Sequence, residues 1–176
     1  MVNDYAKKEI RANAGTDFWY GGIGINIAAR VVEIVTKKNF EQMIMQRIIR
    51  PLGMKSTTFS PENNRCVNPA GGAMSTANDY LNFLVMILNN GQFNGKQILS
   101  ANAVEELKKI QVPANMIVSS PKGSANFEFG LGGCIMEKNI EEKATIIGCP
   151  NFWGIWPIVD LCRGYASIIF PKDYLV

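Results

Sequence analysis

Apolar positions in the first two-thirds of the chain recur with the period of a helix. Ile27, Val31, Ile34 and Val35 stand at i, i+4, i+7 and i+8, which predicts an amphipathic helix near 24–37. Asn39-Phe40-Glu41-Gln42 reads as a capping box opening a second helix over 40–50, with Phe40, Ile44 and Ile48 inward. Pro51 ends it, because its ring and missing N–H cannot continue the ladder. Thr76-Ala77-Asn78-Asp79 is a second capping box. The helix behind it, over 77–90, carries Leu81, Leu84, Val85 and Leu88 and stops at Gly91. Asn94-Gly95, between Phe93 and Lys96, has the chemistry of a two-residue hairpin turn. Ser100 caps a fourth helix over 101–110, with Glu105 and Lys109 spaced to pair at i,i+4.

The pattern changes after Val112. Residues 113–126 are rich in Pro, Ser, Asn and Gly and read as a surface loop. Four β-like runs follow: Leu131–Met136, Ala144–Cys149, Ile155–Val159 and Tyr165–Phe170. Their connections, Glu137–Lys143 and Asp160–Gly164, are short enough for antiparallel hairpins. A helical lobe over about 20–112, then a sheet portion over about 125–170, makes an α+β domain spanning 1–176. One face of such a sheet packs on the helices, and little sequence remains to cover the other. The expectation is a fold incomplete at both ends, able to self-associate through the exposed sheet face.

Composition narrows the chemistry. Apolar residues make up 47% and charged residues 19% of 176, a globular balance rather than a disordered one. Net charge is only +3 and the basic residues are scattered, which argues against nucleic acid as a partner. No apolar run approaches the ~20 residues of a membrane span. The polar opening Met1–Lys8 has no signal-peptide core, and the compartment stays unassigned. Histidine is absent, so no Ser-His-Asp or Cys-His relay and no His-containing metal site is possible within the chain. Cys66, Cys134, Cys149 and Cys162 are widely spaced, without a C-x-x-C pair; four cysteines allow a disulfide or two, but free buried thiols are the favoured expectation, with no metal.

Several blocks carry a resemblance. Phe18-Trp19-Tyr20-Gly21-Gly22 is followed by Ala28-Ala29-Arg30-Val31-Val32-Glu33 and then by Arg50-Pro51-Leu52-Gly53-Met54-Lys55-Ser56-Thr57-Thr58-Phe59. Further on stand Asn68–Tyr80 and Leu88-Asn89-Asn90-Gly91, the latter leading to Asn94–Ser100. Together, from about Ala14 to Phe170, these resemble the serine β-lactamase-like family, which includes class C β-lactamases, esterases and penicillin-binding-protein-like hydrolases. Physically the Pro51–Met54 block is a helix stop with two core anchors, and Gly71-Gly72 permits a backbone excursion; both are read as walls rather than chemistry.

The resemblance implies a site. Tyr20 matches the tyrosine of the family's Tyr-x-Asn motif, which serves as or assists the general base. A free phenol, with pKa ~10, needs nearby cations for that role. The third motif position is Gly22, so a substrate-contacting amide is missing. The outer motif, Lys-Thr-Gly or His-x-Gly in the family, corresponds to Cys149-Pro150-Asn151. Gly22, Cys149 and Asn151 are therefore the expected substrate-binding positions. Pro150 removes one backbone donor there. The nucleophilic Ser-x-x-Lys of the family lies well upstream of its Tyr motif and is expected outside this chain. Ser119-Ser120-Pro121-Lys122 matches its letters only, since Pro121 disfavours a helical turn.

The implied activity is hydrolysis of a small ester, amide or lactam through an acyl-serine, without a cofactor. The departures at Gly22 and Cys149–Asn151 favour an ester over a lactam. The competing reading is a non-catalytic truncated or decayed homologue that serves as a binding or structural module.

Overall fold

The computed structural model describes residues 5, 7–59, 67–150 and 154–171. Strand β1 (Phe18–Trp19) leads into helix α1 (Ile23–Thr36), then α2 (Phe40–Ile44), which runs on through a wider turn over Met45–Ile49. Helix α3 (Ala77–Leu88) follows, then the hairpin β2 (Gln92–Phe93) and β3 (Lys96–Gln97), and α4 (Ala101–Lys108). Beyond them come β4 (Ile117–Ser119), β5 (Glu128–Gly130), β6 (Gly133–Lys138), β7 (Ala144–Gly148), β8 (Trp156–Asp160) and β9 (Tyr165–Ile169). The last five form one antiparallel sheet in chain order, so the fold is α+β.

Local signals explain the helix ends. The Asn39 side chain accepts from Gln42 N at 2.8 Å, that of Thr76 from Asp79 N at 3.3 Å, and that of Ser100 from Ala103 N at 3.2 Å. Asn94 and Gly95 both take positive φ, 47° and 74°, so Gln92 faces Gln97 and Phe93 faces Lys96 across a tight turn. Gly91 closes α3 at φ 88°, its N–H donating to Met86 O at 2.8 Å; a Cβ there would lie 2.1 Å from Leu99 O. Pro51 ends the second helix after Arg50 N has bonded back five residues to Met45 O.

One helix-lobe feature holds the rest. Asp79 does not complete its capping box. Its buried carboxylate instead accepts from Ser56 N at 2.7 Å and Thr57 Oγ1 at 2.9 Å, clamping the segment after Pro51–Met54 to the start of α3. Leu52 and Met86 are fully buried within this junction, each contributing about 1.5–3 kcal/mol. The core continues through Ile49, Leu84 and Ile87 to Ile135, Ile147 and Val159 on the sheet, with α3 lying across β8 and β9.

Several expectations need correction. The apolar stripe of α1 is not buried: Ile27, Val31, Ile34 and Val35 are exposed, Val35 at 75%, and only Ala29 of this helix is buried. Period shows which face seeks cover, and none of the described elements lies over that face. Lys108 meets Glu105 and Lys109 meets Glu106, so both pairs on α4 run at i,i+3 instead of Glu105 with Lys109. The 113–126 segment is not wholly loop, since β4 pairs in parallel with β1, Trp19 opposite Ser119. The first sheet run begins at Gly133, not Leu131, and is preceded by the short β5. On β8 and β9, Trp156, Tyr165 and Ile169 are exposed.

Candidate functional site

Tyr20 follows β1, and its N–H donates to Ser119 O at 2.9 Å, which fixes the backbone beside the sheet. Its ring leans on buried Phe129 of β5, with centroids 5.8 Å apart, and Phe18 packs on the same ring at 4.9 Å. The hydroxyl lies near Cys149, the residue after β7. Two of the expected positions, far apart in sequence, are thus neighbours in space.

Behind Cys149 lies a residue that sequence reasoning missed. Cys134 of β6 is fully buried and pairs with Phe129 on one side and with Gly148, the residue before Cys149, on the other. The buried Ser124 hydroxyl donates to Pro121 O at 3.1 Å. Nothing in the spacing of Ser124, Cys134 and Cys149 could have signalled this cluster, because it depends on the strand register.

The cluster sets its own protonation. Burial, then the neighbouring Cys149 and Cys134, pushes the Tyr20 phenol above its ordinary value. Neighbouring Cys134, against the opposing effect of burial and with help from Tyr20, brings the Cys149 thiol down to about 7. Cys134, beside Cys149 and buried, goes up. The more acidic group in this site is the half-buried thiol.

Gly22 serves through its backbone. A Cβ there would stand 2.7 Å from Ala70 Cβ, so the 68–72 turn occupies the space a side chain would need. The nearest amide is Asn26, one helical turn on, whose Oδ1 accepts from Ala70 N at 3.2 Å. Asn151 lies outside the described residues, as does Cys66. Ser119 to Lys122 is extended at Pro121 (φ −58°, ψ 146°), so the Ser-x-x-Lys letters do not form a helical turn.

Beside Cys149 a cavity of about 200 Å³ opens between α3 and the sheet. Tyr80, Phe83, Leu107, Leu131 and Pro157 line it with Cys149, and no charged side chain does. A larger depression of about 460 Å³ at the Asn94-Gly95 hairpin has no nucleophile, acid or base on its walls. Among the described residues no cluster of three or more metal-ligating side chains occurs, and no helix is long and apolar enough to cross a membrane.

The family model described as Beta-lactamase matches residues 1–171. A solved protein from Bacteroides dorei DSM 17855, assigned to the beta-lactamases, superposes with TM-score 0.80 at 25% identity, covering 99% of this chain and 57% of its own. A beta-lactamase from Mycobacterium bovis gives TM-score 0.71 at 21% identity, with 93% and 60% covered. EstCE1, a hydrolase with promiscuous acyltransferase activity, gives 0.68 at 16%, with 89% and 51% covered. The chain therefore spans between half and three-fifths of the length of these proteins. No curated protein matches the sequence.

Proposed function

The chain belongs to the beta-lactamase family, and from that premise we propose that it supplies the Tyr20–Cys149 wall of a serine acyl hydrolase acting on small esters or amides. The observation that carries this reading is the placement of Tyr20, held by Ser119 O and packed on Phe129 of β5, beside the end of β7. In the proposed reaction a serine from outside these 176 residues attacks the carbonyl, and water later releases the acyl group. Tyr20 passes a proton between that serine and the leaving group. Backbone groups near Gly22 and Cys149 hold the substrate, with Asn151 as a further contact.

Tyr20 is held as a neutral phenol by the groups around it, so it begins the cycle as a proton donor. It becomes a base only once a cation stands near it. The uncharged cavity beside Cys149 favours an ester with an apolar acyl group over a carboxylate-bearing lactam. The raised Tyr20 pKa also supports a second reading, in which this chain is a non-catalytic homologue that binds small molecules without turning them over.

Fluorophosphonate treatment of the 176-residue chain, followed by intact-mass analysis, tests the placement of the nucleophile. The expected result is no labelled serine. Stoichiometric labelling of any serine in this chain would overturn it.

A further inference from the structure

The cavity beside Cys149 runs from an exposed rim to a buried floor. Leu84 and Ile87 of α3, Ile147 of β7 and Val159 of β8 form the floor, and all four are buried. Leu131, in the connection from β5 to β6, stands at the rim and is 67% exposed. The Tyr80 and Phe83 rings, with centroids 6.1 Å apart, make one wall. Tyr80 carries the one side-chain oxygen in the lining; the remaining side chains there are hydrocarbon, apart from the Cys149 thiol. An apolar cavity of ~150 Å³ stays dry and binds benzene. This one, at about 200 Å³, is larger.

We propose that this cavity is an acyl-chain subsite, taking a straight, uncharged chain of about six to eight carbons and excluding longer ones. Its role toward a substrate rests on the hydrolase reading; its capacity to hold such a chain does not. The upper bound comes from volume. Six carbons of benzene occupy ~150 Å³, so the present cavity admits roughly two more. Beyond that the chain meets the floor. Ile147 and Val159 belong to the core that joins α3 to the sheet, so a longer chain would have to displace packed side chains. The charge of the occupant follows from the lining. No cation stands there, so a carboxylate on the chain would lose its hydration without gaining a partner. Cys149 lines the cavity as well as standing at the end of β7, which sets the reacting end of an ester at the rim and its acyl tail on the floor.

The test is a chemical-shift titration of the 176-residue chain, carrying ¹³C-labelled isoleucine methyls, with 2-butanone, 2-hexanone, 2-octanone, 2-decanone and 2-dodecanone. Methyl ketones resemble esters in shape but cannot be hydrolysed, so binding is read without any nucleophile. The Ile87 and Ile147 signals report the floor, whereas Ile25 and Ile34 report the exposed face of α1. Ile87 and Ile147 should shift, and affinity should rise about fourfold per added methylene up to 2-octanone. It should level off or fall at 2-decanone and 2-dodecanone. Leu131→Asp places a carboxylate at the exposed rim, where folding tolerates it, and should weaken 2-octanone at least about fivefold. Unmoved Ile87 and Ile147 signals, affinity that climbs unbroken to 2-dodecanone, or wild-type affinity in Leu131→Asp would each overturn the proposal. Labelling of a serine in this chain by fluorophosphonate would sink the hydrolase reading and leave the ketone result standing. A failed titration with no serine labelled would remove the subsite alone.

Discussion

Removing the Asp79 carboxylate should loosen the junction between the two halves of the helical lobe. Asp79 is only 8% exposed and accepts two hydrogen bonds from the segment that follows Pro51–Met54. Bonds to a charged acceptor contribute about 1.5–3 kcal/mol each, and a carboxylate in the first helical turn adds ~0.3–1 kcal/mol. Thr57 keeps a partner in Asp79→Ala, because its hydroxyl also lies 2.7 Å from Ser75 Oγ. Ser56 N–H loses the acceptor it had in Asp79 and is left to find water. The net expectation is a loss of about 3 kcal/mol. With a urea slope of ~2 kcal/mol/M, the unfolding midpoint should fall by about 1.5 M. Asp79→Asn retains a neutral acceptor and should lose about half as much. Equilibrium urea denaturation followed by circular dichroism reads both. An Asp79→Ala midpoint within ~0.25 M of wild type, equal to ~0.5 kcal/mol, would refute the clamp.

Other expectations follow from the site and the surface. Iodoacetamide reacts with thiolate, so Cys149 alkylation should rise with pH through an inflection near 7, below the ~8.5 of a free thiol. Tyr20→Phe removes the hydroxyl near that thiolate and should move the inflection upward; peptide mass spectrometry at a series of pH values measures it, and an inflection at or above the free-thiol value would contradict the assignment. The exposed apolar residues of α1 and of the outer sheet face should drive association, visible as dye binding and as oligomers in light scattering. Val35→Lys combined with Ile169→Lys should reduce both signals, whereas a monodisperse, dye-silent wild-type chain would count against the idea.

The parts of the fold that were legible are those governed by neighbours in sequence. Asn39, Thr76 and Ser100 cap helices because a short oxygen-bearing side chain reaches an N–H three residues on, and Asn94-Gly95 turns because both residues accept positive φ. The α1 stripe illustrates the limit: its periodicity is real, yet burial depends on what lies over it. The strands β1, β4 and β5 are two or three residues long, too short for a period-two pattern to emerge. At the candidate site, Tyr20 and Cys149 are assigned only through resemblance to family motifs. The sequence does not place Cys134 and Ser124 beside that site, because their positions arise from the β6–β7 register and the turn at Pro121–Ser124. Gly22 was read as a lost amide; the structure adds that Ala70 fills the space beside it.

The central claim is that Tyr20 belongs to the proton pathway of an acyl hydrolase completed by a serine outside these residues. Its most direct test is the pre-steady-state acylation rate, with an activated ester, of a longer form of this protein that carries an upstream Ser-x-x-Lys, compared with the same form bearing Tyr20→Phe. A positioned acid–base group contributes typically about 10²–10⁴-fold. The account predicts a burst of acyl-enzyme in the former and an acylation rate at least about tenfold lower in the latter, with the protein equally folded. An unchanged rate in Tyr20→Phe would contradict it and return Tyr20 to a packed aromatic on Phe129.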